Sequence, residues 1–238
     1  MKRKIKLIEQ VANWLGLSLQ DFVEYWLEQH KVDKKRICKI VEPEKVQIYD
    51  SIFSADDIRS RTKLFWYAFE GEKFSRDPKA YPNCQGVVGW INPDPNAPEG
   101  ERIYVVLPEQ QKLPYASKLC YVGAIDLYNC RGNTLKLIEY GKKHNVKFPA
   151  AEFAFNYCNN GVKQGEAFLP ARDQLSLVVE NCVGVRRALK LIRGTFEDWL
   201  WSSSETSDGY AWGVNSNYDR VYYDSKNNVN SVSCFLAY

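Results

Sequence analysis

Apolar residues at the start of the chain recur at helical spacing. Over 5–15 they return every three or four positions, and Gly16 then supplies a stop. A second apolar stripe follows at 19–27, with Ser18 placed to cap it. The pattern predicts two short helices within residues 1–32, which we interpret as a hairpin that packs on the main domain or on a partner chain.

A helix-turn-helix DNA reader is the alternative interpretation of this hairpin. Its second helix carries Asp21, Glu24 and Glu28, which would repel phosphate, so the packing interpretation is favoured. The chain is therefore divided into an accessory helical segment, 1–36, and one main domain, 37–238.

From residue 37 onward the apolar period changes from helical to alternating. Strands are predicted at 37–41, 45–49, 86–91 and 102–107, and the proline-rich stretch 92–100 must be a loop.

Helical patterns return further along the chain. Helices are predicted at 133–143, 150–159 and 172–191, the last of them interrupted near Gly184. Strands and helices that occupy separate parts of the chain indicate an α+β domain.

The composition is that of an ordinary folded protein. The chain has 238 residues, of which 45% are apolar and 26% charged, so one large domain with a small accessory piece is expected. A net charge of +3 is too mild to indicate a nucleic-acid partner. No apolar run reaches the roughly 20 residues of a membrane span, and no signal peptide follows the basic N-terminus, so we expect synthesis in the cytoplasm.

Few residues are placed for catalysis. Seven scattered cysteines without a CxxC pair predict reduced thiols, and the histidines are two, His30 and His144. The sequence lacks the phosphate-binding loop, the dinucleotide fingerprint, the zinc-protease motif and the serine-hydrolase motif. We therefore assign no catalytic residue, no metal ligand and no cofactor.

The last 38 residues differ from the rest of the chain. Residues 201–238 contain eight aromatic residues, eight serines and five asparagines, with a local net charge of −2. Alternating segments at 210–214 and 220–223 predict strands joined by polar turns. Mixtures of Tyr, Ser, Gly and Asn are typical of binding loops, because Tyr supplies contact area at low entropic cost.

Six segments, taken in chain order, carry a resemblance to a known family. They include Phe-Leu-Pro-Ala at 168–171 and Leu-Trp-Ser-Ser-Ser-Glu at 200–205; the full set is 126–134, 148–151, 165–175, 199–205, 211–214 and 232–238. The chain resembles the variable proteins of diversity-generating retroelements, including those of gut Bacteroides and their phages. Their C-type lectin fold also occurs in formylglycine-generating enzymes and phage tropism determinants. The resemblance implies this fold for the main domain, after the short helical hairpin.

The resemblance also implies that error-prone reverse transcription rewrites the 3′ end of the gene at adenines. Template codons AAC and AAT then become codons ending in C or T, which cannot encode Trp, Met, Lys, Glu or Gln. Residues of these five types number 4 of the 38 in 201–238, against 49 of the first 200. The tail is therefore depleted in these five residue types, as adenine mutagenesis of such codons would require.

The four exceptions in the tail are expected to be framework: Trp201 and Trp212 packing under the site, and Glu205 and Lys226 holding loops by hydrogen bonds or pairing. The remaining polar, small and aromatic positions are candidates for a diversified surface that faces a ligand. They are Thr206, Asp208, Gly209, Tyr210, Gly213, Asn215, Asn217, Tyr218, Asp219, Arg220, Tyr222, Tyr223, Asp224, Asn227, Asn228, Asn230 and Ser231.

The resemblance implies a non-enzymatic protein that binds a variable protein or glycan ligand. On a phage, such a protein would be assembled into the virion and would bind the receptor. Some related tropism proteins are trimers, so a homo-oligomer is also expected. The calcium-ligand motifs of calcium-dependent lectins are absent, which disfavours sugar binding through calcium. Two alternatives remain open: an oxidase of the formylglycine-generating type, and a fixed structural or assembly protein of a phage.

Overall fold

The computed structural model describes residues 64–94, 96–197, 199–218 and 220–238. The predicted hairpin at 1–32, the predicted strands at 37–41 and 45–49, and the boundary after residue 36 lie outside these residues. So does Asp219.

Eight strands of the described residues form one sheet. In chain order they are β1 Tyr67–Phe69, β2 Lys73–Ser75, β3 Cys84–Ile91, β4 Ile103–Pro114, β5 Trp199–Glu205, β6 Tyr210–Asn215, β7 Arg220–Ser225 and β8 Val229–Ala237. Their spatial order is β2-β1-β3-β4-β8-β5-β6-β7. Neighbouring strands are antiparallel, except that β5 and β8 run parallel. The C-terminal strand β8 therefore lies in the middle of the sheet, and β7 lies at one edge.

Four helices occupy the interval between β4 and β5. They are α1 Cys130–His144, α2 Pro149–Phe155, α3 Arg172–Val179 and α4 Cys182–Leu191. The start of α1 is fixed by the Asn129 side chain, which accepts a hydrogen bond from the Gly132 amide at 2.7 Å. Its end is fixed by Asn145, which adopts the left-handed conformation at φ 51°.

The helices cover both faces of the sheet. Along β4, Val105 belongs to one buried cluster and Val106 to another, because successive side chains of a strand point to opposite faces. The first cluster includes Leu137 of α1 together with residues of α2, and the second includes Leu175 of α3 and Leu189 of α4. The sheet is thus the middle of three layers, which explains why its central strands are apolar on both sides.

The architecture agrees with the sequence in class and departs from it in detail. The described fold is mixed α and β, as predicted, and the strands predicted at 86–91 and 102–107 are present as β3 and β4. The predicted interruption of the helix at 172–191 is present, but Gly184 does not cause it. The chain breaks between α3 and α4 at 180–181, and Gly184 lies inside α4, where a Cβ atom would come within 2.3 Å of the Phe65 ring. This glycine permits close packing and does not end a helix.

The described helices are all short or polar. None of those in residues 64–94, 96–197, 199–218 and 220–238 combines the length and apolar character that crossing a membrane requires.

Two leucines of α4 provide a matched test of the second cluster. Leu189 is fully buried, whereas Leu191 is 71% exposed. We expect Leu189→Ala to lower the free energy of unfolding by about 2–4 kcal/mol, because it leaves a cavity in close-packed surroundings. Leu191→Ala should change it by about 0.5 kcal/mol or less. Urea denaturation followed by circular dichroism measures both, and equal losses would contradict the packing described for α4.

Candidate functional site

The exposed aromatic residues of the tail meet on one side of the β6–β7 hairpin. In this antiparallel pair Trp212 lies opposite Tyr223, and Tyr210 lies opposite Ser225. Since residues two apart on a strand share a face, Tyr210, Trp212 and Tyr223 all project from the same side. Tyr210 is 46% exposed and Tyr223 is 63% exposed. Aromatic side chains of this size are normally buried, so their exposure here marks a candidate contact surface.

These side chains form an ordered array. The ring of Tyr223 packs edge-on against Tyr210, with centroids 5.7 Å apart, and against Trp212, with centroids 6.0 Å apart. The Arg172 guanidinium lies 5.1 Å from the centre of the Trp212 ring, in cation–π contact. We call Tyr210, Trp212, Tyr223 and Arg172 the aromatic surface.

The aromatic surface continues onto the loop before α1. Arg172 pairs with Asp173 at 2.5 Å, and the Asp173 amide donates to the Leu127 carbonyl at 2.9 Å. The Asp173 carboxylate raises the pKa of the neighbouring Tyr128, first by its charge and then by a hydrogen bond. Tyr128 is 55% exposed, so it adds a phenol to the same side of the molecule.

A buried ion pair lies beneath the tail. The Lys226 ammonium contacts the Glu205 carboxylate at 2.7 Å, and both side chains are fully buried. The same ammonium donates to the Cys120 carbonyl at 2.6 Å and to the Ser207 carbonyl at 2.8 Å. Its three donors are therefore all used, which is the condition under which a buried lysine can keep its charge.

The carboxylate of this pair is satisfied in the same way. The second oxygen of Glu205 accepts hydrogen bonds from the amides of Val122 and Ala124, each at 3.0 Å. The Lys226 amide donates to the Gly209 carbonyl at 3.0 Å. The pair thus joins the loop before α1, the β5–β6 turn and the β7–β8 turn.

The other framework residues divide into one buried and one surface residue. Trp201 is fully buried; its indole N–H donates to the Leu113 carbonyl at 3.0 Å, and its ring packs edge-on against Tyr115. Burial raises the pKa of Tyr115 well above its usual value, and its hydroxyl donates to the Ser203 carbonyl. The sequence predicts Trp212 under the site, and the structure has it in contact with Tyr223 and Arg172. Trp212 is only partly buried and forms part of the surface, because it shares a strand face with Tyr210 near the sheet edge.

Most of the predicted ligand-facing residues lie at the surface. Nine are exposed: Thr206, Asp208, Tyr210, Asn217, Tyr218, Arg220, Tyr223, Asn227 and Asn228. Four are partly buried: Gly209, Tyr222, Asp224 and Asn230.

Three of the predicted positions are buried, and for them the prediction is wrong. Asn215 is 2% exposed because its side-chain oxygen accepts from the amides of Asn217 and Tyr218 and holds the β6–β7 turn. Ser231 is 2% exposed because it lies in β8 between β4 and β5. Gly213 lies under the Tyr222 ring, where a Cβ atom would come within 2.5 Å of that ring.

The exposed positions of the tail fall into two groups at opposite ends of β6 and β7. At one end, the Asp224 carboxylate accepts from the Asn228 amide group at 2.7 Å and from that of Asn230 at 3.1 Å. At the other end, the Arg186 guanidinium donates to the Ser216 hydroxyl at 2.6 Å and to the Asn217 side chain at 3.0 Å. Tyr210, Trp212 and Tyr223 of the aromatic surface lie near the first of these ends, on the opposite face of the hairpin from Asp224.

Sequence reasoning missed Arg172, Tyr128 and Arg186. Tyr128 belongs to the segment 126–134 that carries the family resemblance, so an aromatic residue among turn residues was an available signal. Arg172 likewise belongs to the segment 165–175, whereas no local signal marked Arg186, because its contacts with the tail span about thirty residues of sequence.

Three thiols of the described residues, those of Cys84, Cys130 and Cys234, are not activated. Burial raises the pKa of Cys84 and of Cys130 to about 11, and it raises the pKa of Cys234 further. These groups are therefore protonated at neutral pH and are poor nucleophiles. Three or more His, Cys, Asp or Glu side chains able to hold a metal ion do not come together anywhere in the described part of the chain.

Comparison with known proteins gives a likeness in fold and none in sequence. No protein-family model and no curated protein matches the chain. Among solved structures, a protein described as a fimbrial protein from Bacteroides ovatus ATCC 8483 aligns with a TM-score of 0.58 and 12% sequence identity. The alignment covers 74% of this chain and 49% of that protein, so this chain corresponds to about half of its neighbour's length.

The buried ion pair can be tested by a double-mutant cycle. Lys226→Met leaves the Glu205 carboxylate buried without its partner, so we expect the free energy of unfolding to fall by about 3–5 kcal/mol. Adding Glu205→Gln removes the unpaired charge and should recover a substantial part of that loss. Urea denaturation of the four proteins measures the coupling. Additive effects of the two substitutions would contradict a coupled buried pair.

Proposed function

We propose that the protein is a non-enzymatic binding protein whose C-terminal surface recognises a variable protein or glycan ligand. In this proposal the domain is a C-type lectin fold, and the surface formed by the β5–β6 turn, β6, β7 and the β7–β8 turn is diversified by retroelement mutagenesis. On a phage the protein would act in receptor binding.

The observation that carries the proposal is the separation of fixed and free side chains within one short segment. Glu205 and Lys226 hold the tail backbone from below through a fully buried pair. Above them, Thr206, Asp208 and Asn227 are exposed and lie outside the buried cores. The Thr206 hydroxyl donates to the Tyr210 carbonyl and the Asp208 carboxylate accepts from the Gly209 amide, so both bonds stay within the β5–β6 turn. Side chains of the second kind can change without disturbing the first, which is the property that a diversified recognition surface needs.

The aromatic surface gives the proposed site its anchors. Tyrosine and tryptophan contribute large contact areas with few rotatable bonds, and they dominate the energetics of many binding surfaces. Tyr210 and Tyr223 pack edge to face, and Arg172 of α3 contacts the Trp212 ring. A surface that is ordered before binding loses less conformational entropy when a ligand docks.

The genetic part of the proposal predicts a second copy of the tail codons. We expect the DNA near this gene to contain a near-copy of the codons for 201–238. The two sequences should differ only at positions where the near-copy has adenine, and a reverse transcriptase gene should lie beside the near-copy. Sequencing the flanking DNA provides the measurement. If no such copy is present, the proposal that this gene is actively diversified is wrong, whatever its product binds.

The structural part predicts which positions tolerate substitution. Asn227 is exposed and Asn215 is buried, although both are candidates from sequence alone. Asn227→Ala should change the free energy of unfolding by about 0.5 kcal/mol or less. Asn215→Ala removes the acceptor for two turn amides and should cost about 1–3 kcal/mol. Chemical denaturation of the two variants compares the same change at both sites, and equal costs would argue against a free surface over a fixed backbone.

A fixed assembly subunit is the second candidate function. The likeness in fold to a protein described as fimbrial favours it, although 12% identity supports the fold alone. A fixed subunit predicts no adenine-linked copy of the tail codons, so the same sequencing separates the two candidates.

A further inference from the structure

The open edge of β7 has the features of a strand that pairs with another chain. Among the described residues β7 has β6 on one side and no strand on the other. Its six residues, Arg220–Ser225, pair with β6 without a register shift, so the edge is regular. Proline, lysine and bulges are among the devices that block an open edge; β7 has none of them, and its charged residues are Arg220 and Asp224.

The register of the hairpin shows which backbone groups of β7 point outward. The Lys226 amide bonds to the Gly209 carbonyl, which extends the β6–β7 register by one hydrogen-bonded pair. Hydrogen-bonded and non-hydrogen-bonded pairs alternate along an antiparallel ladder. Counting back from Lys226, residues 220, 222 and 224 direct their backbone groups toward β6. Val221 and Tyr223 therefore direct theirs toward the open edge.

The sequence of β7 is complementary to itself when it is reversed about Tyr222. Two antiparallel copies centred there place Arg220 of each strand opposite Asp224 of the other. They also place Val221 opposite Tyr223, a pairing of β-branched and aromatic side chains that stabilises antiparallel strands. Val221 and Tyr223 carry the outward backbone groups, so the same register forms hydrogen-bonded pairs at both positions. Charge, side-chain shape and backbone hydrogen bonding all select one register.

We propose that β7 pairs with β7 of a second copy of this chain, antiparallel about a two-fold axis at Tyr222. The interface contains four backbone hydrogen bonds between Val221 and Tyr223 of the two copies and two ion pairs between Arg220 and Asp224. Arg220 is exposed, so its guanidinium can reach a second copy. The dimer is isologous, and its two sheets become one continuous sheet.

The pairing uses the edge of the strand and leaves its faces open. The two-fold axis is perpendicular to the sheet, so the aromatic surfaces of both copies lie on the same face and close to the axis. The inference stands apart from the proposed function, because the backbone bonds form whether or not the tail is diversified. If both hold, the dimer presents two recognition surfaces side by side, which increases avidity for a repetitive target.

Charge reversal of the full chain tests the side-chain part of the pairing. We expect light scattering at about 100 µM to give twice the 27.5 kDa mass of one chain. Arg220→Asp places two carboxylates opposite each other at both ends and should raise the dimer dissociation constant at least tenfold. Adding Asp224→Arg restores both ion pairs with their signs exchanged and should restore the dimer. A monomeric parent protein, or a dimer that Arg220→Asp leaves unchanged, would overturn the proposal.

A proline substitution tests the backbone part. The Val221 amide points away from β6, so Val221→Pro removes a bond of the dimer and none of the β6–β7 ladder. Val221→Ala shortens the same side chain and keeps the amide. We expect the proline variant to raise the dissociation constant at least tenfold more than the alanine variant does, with matching circular dichroism spectra. Equal dissociation constants for the two variants would rule out edge-strand pairing, and if the proline variant fails to fold, the charge-exchanged pair decides the question.

Discussion

The buried ion pair between Glu205 and Lys226 is the constraint on which the rest of the tail depends. Two charges excluded from water are tolerated only because every polar atom around them is used: three acceptors surround the ammonium, and two amides reach the second carboxylate oxygen. The partners come from the loop before α1 and from two turns of the tail. The backbone of the tail is therefore fixed from beneath.

The exposure of the aromatic surface follows from where the helical layers end. In the middle of the sheet both faces are covered, and alternate residues of β4 and β8 enter different cores. Val214 is fully buried in the same cluster as Leu175 of α3, whereas Trp212 lies against Arg172, the first residue of α3, and Tyr210 and Tyr223 are exposed. In the β6–β7 hairpin, β6 thus pairs with β5 and packs against α3, whereas β7 lies at the edge of the sheet. Among the described residues, the open edge of β7 therefore lies next to the exposed aromatic surface.

Local patterns predicted those elements whose residues carry their own signal. The alternating runs in β3 and β4 and the helical spacing in α1 need no information from elsewhere in the chain, and the structure has each of them within a few residues. Gly184 was not a reliable signal for a helix end, because glycine both terminates helices and allows close packing inside them. The neighbour in this case is Phe65, more than a hundred residues away in sequence. A local window contains no information about such a contact.

For the candidate site the division is similar. Composition and local pattern alone show that the last 38 residues are rich in Tyr, Ser and Asn, that four residues of three other types stand out against that background, and that two strands cross the segment. Only the tertiary structure decided that Trp212 and Arg172 belong to the surface and that Asn215 and Ser231 are buried. The physical reason is that composition is a property of the chain alone, whereas exposure depends on which other segments pack against each side chain. In this domain those segments come from α3, α4 and the loop before α1.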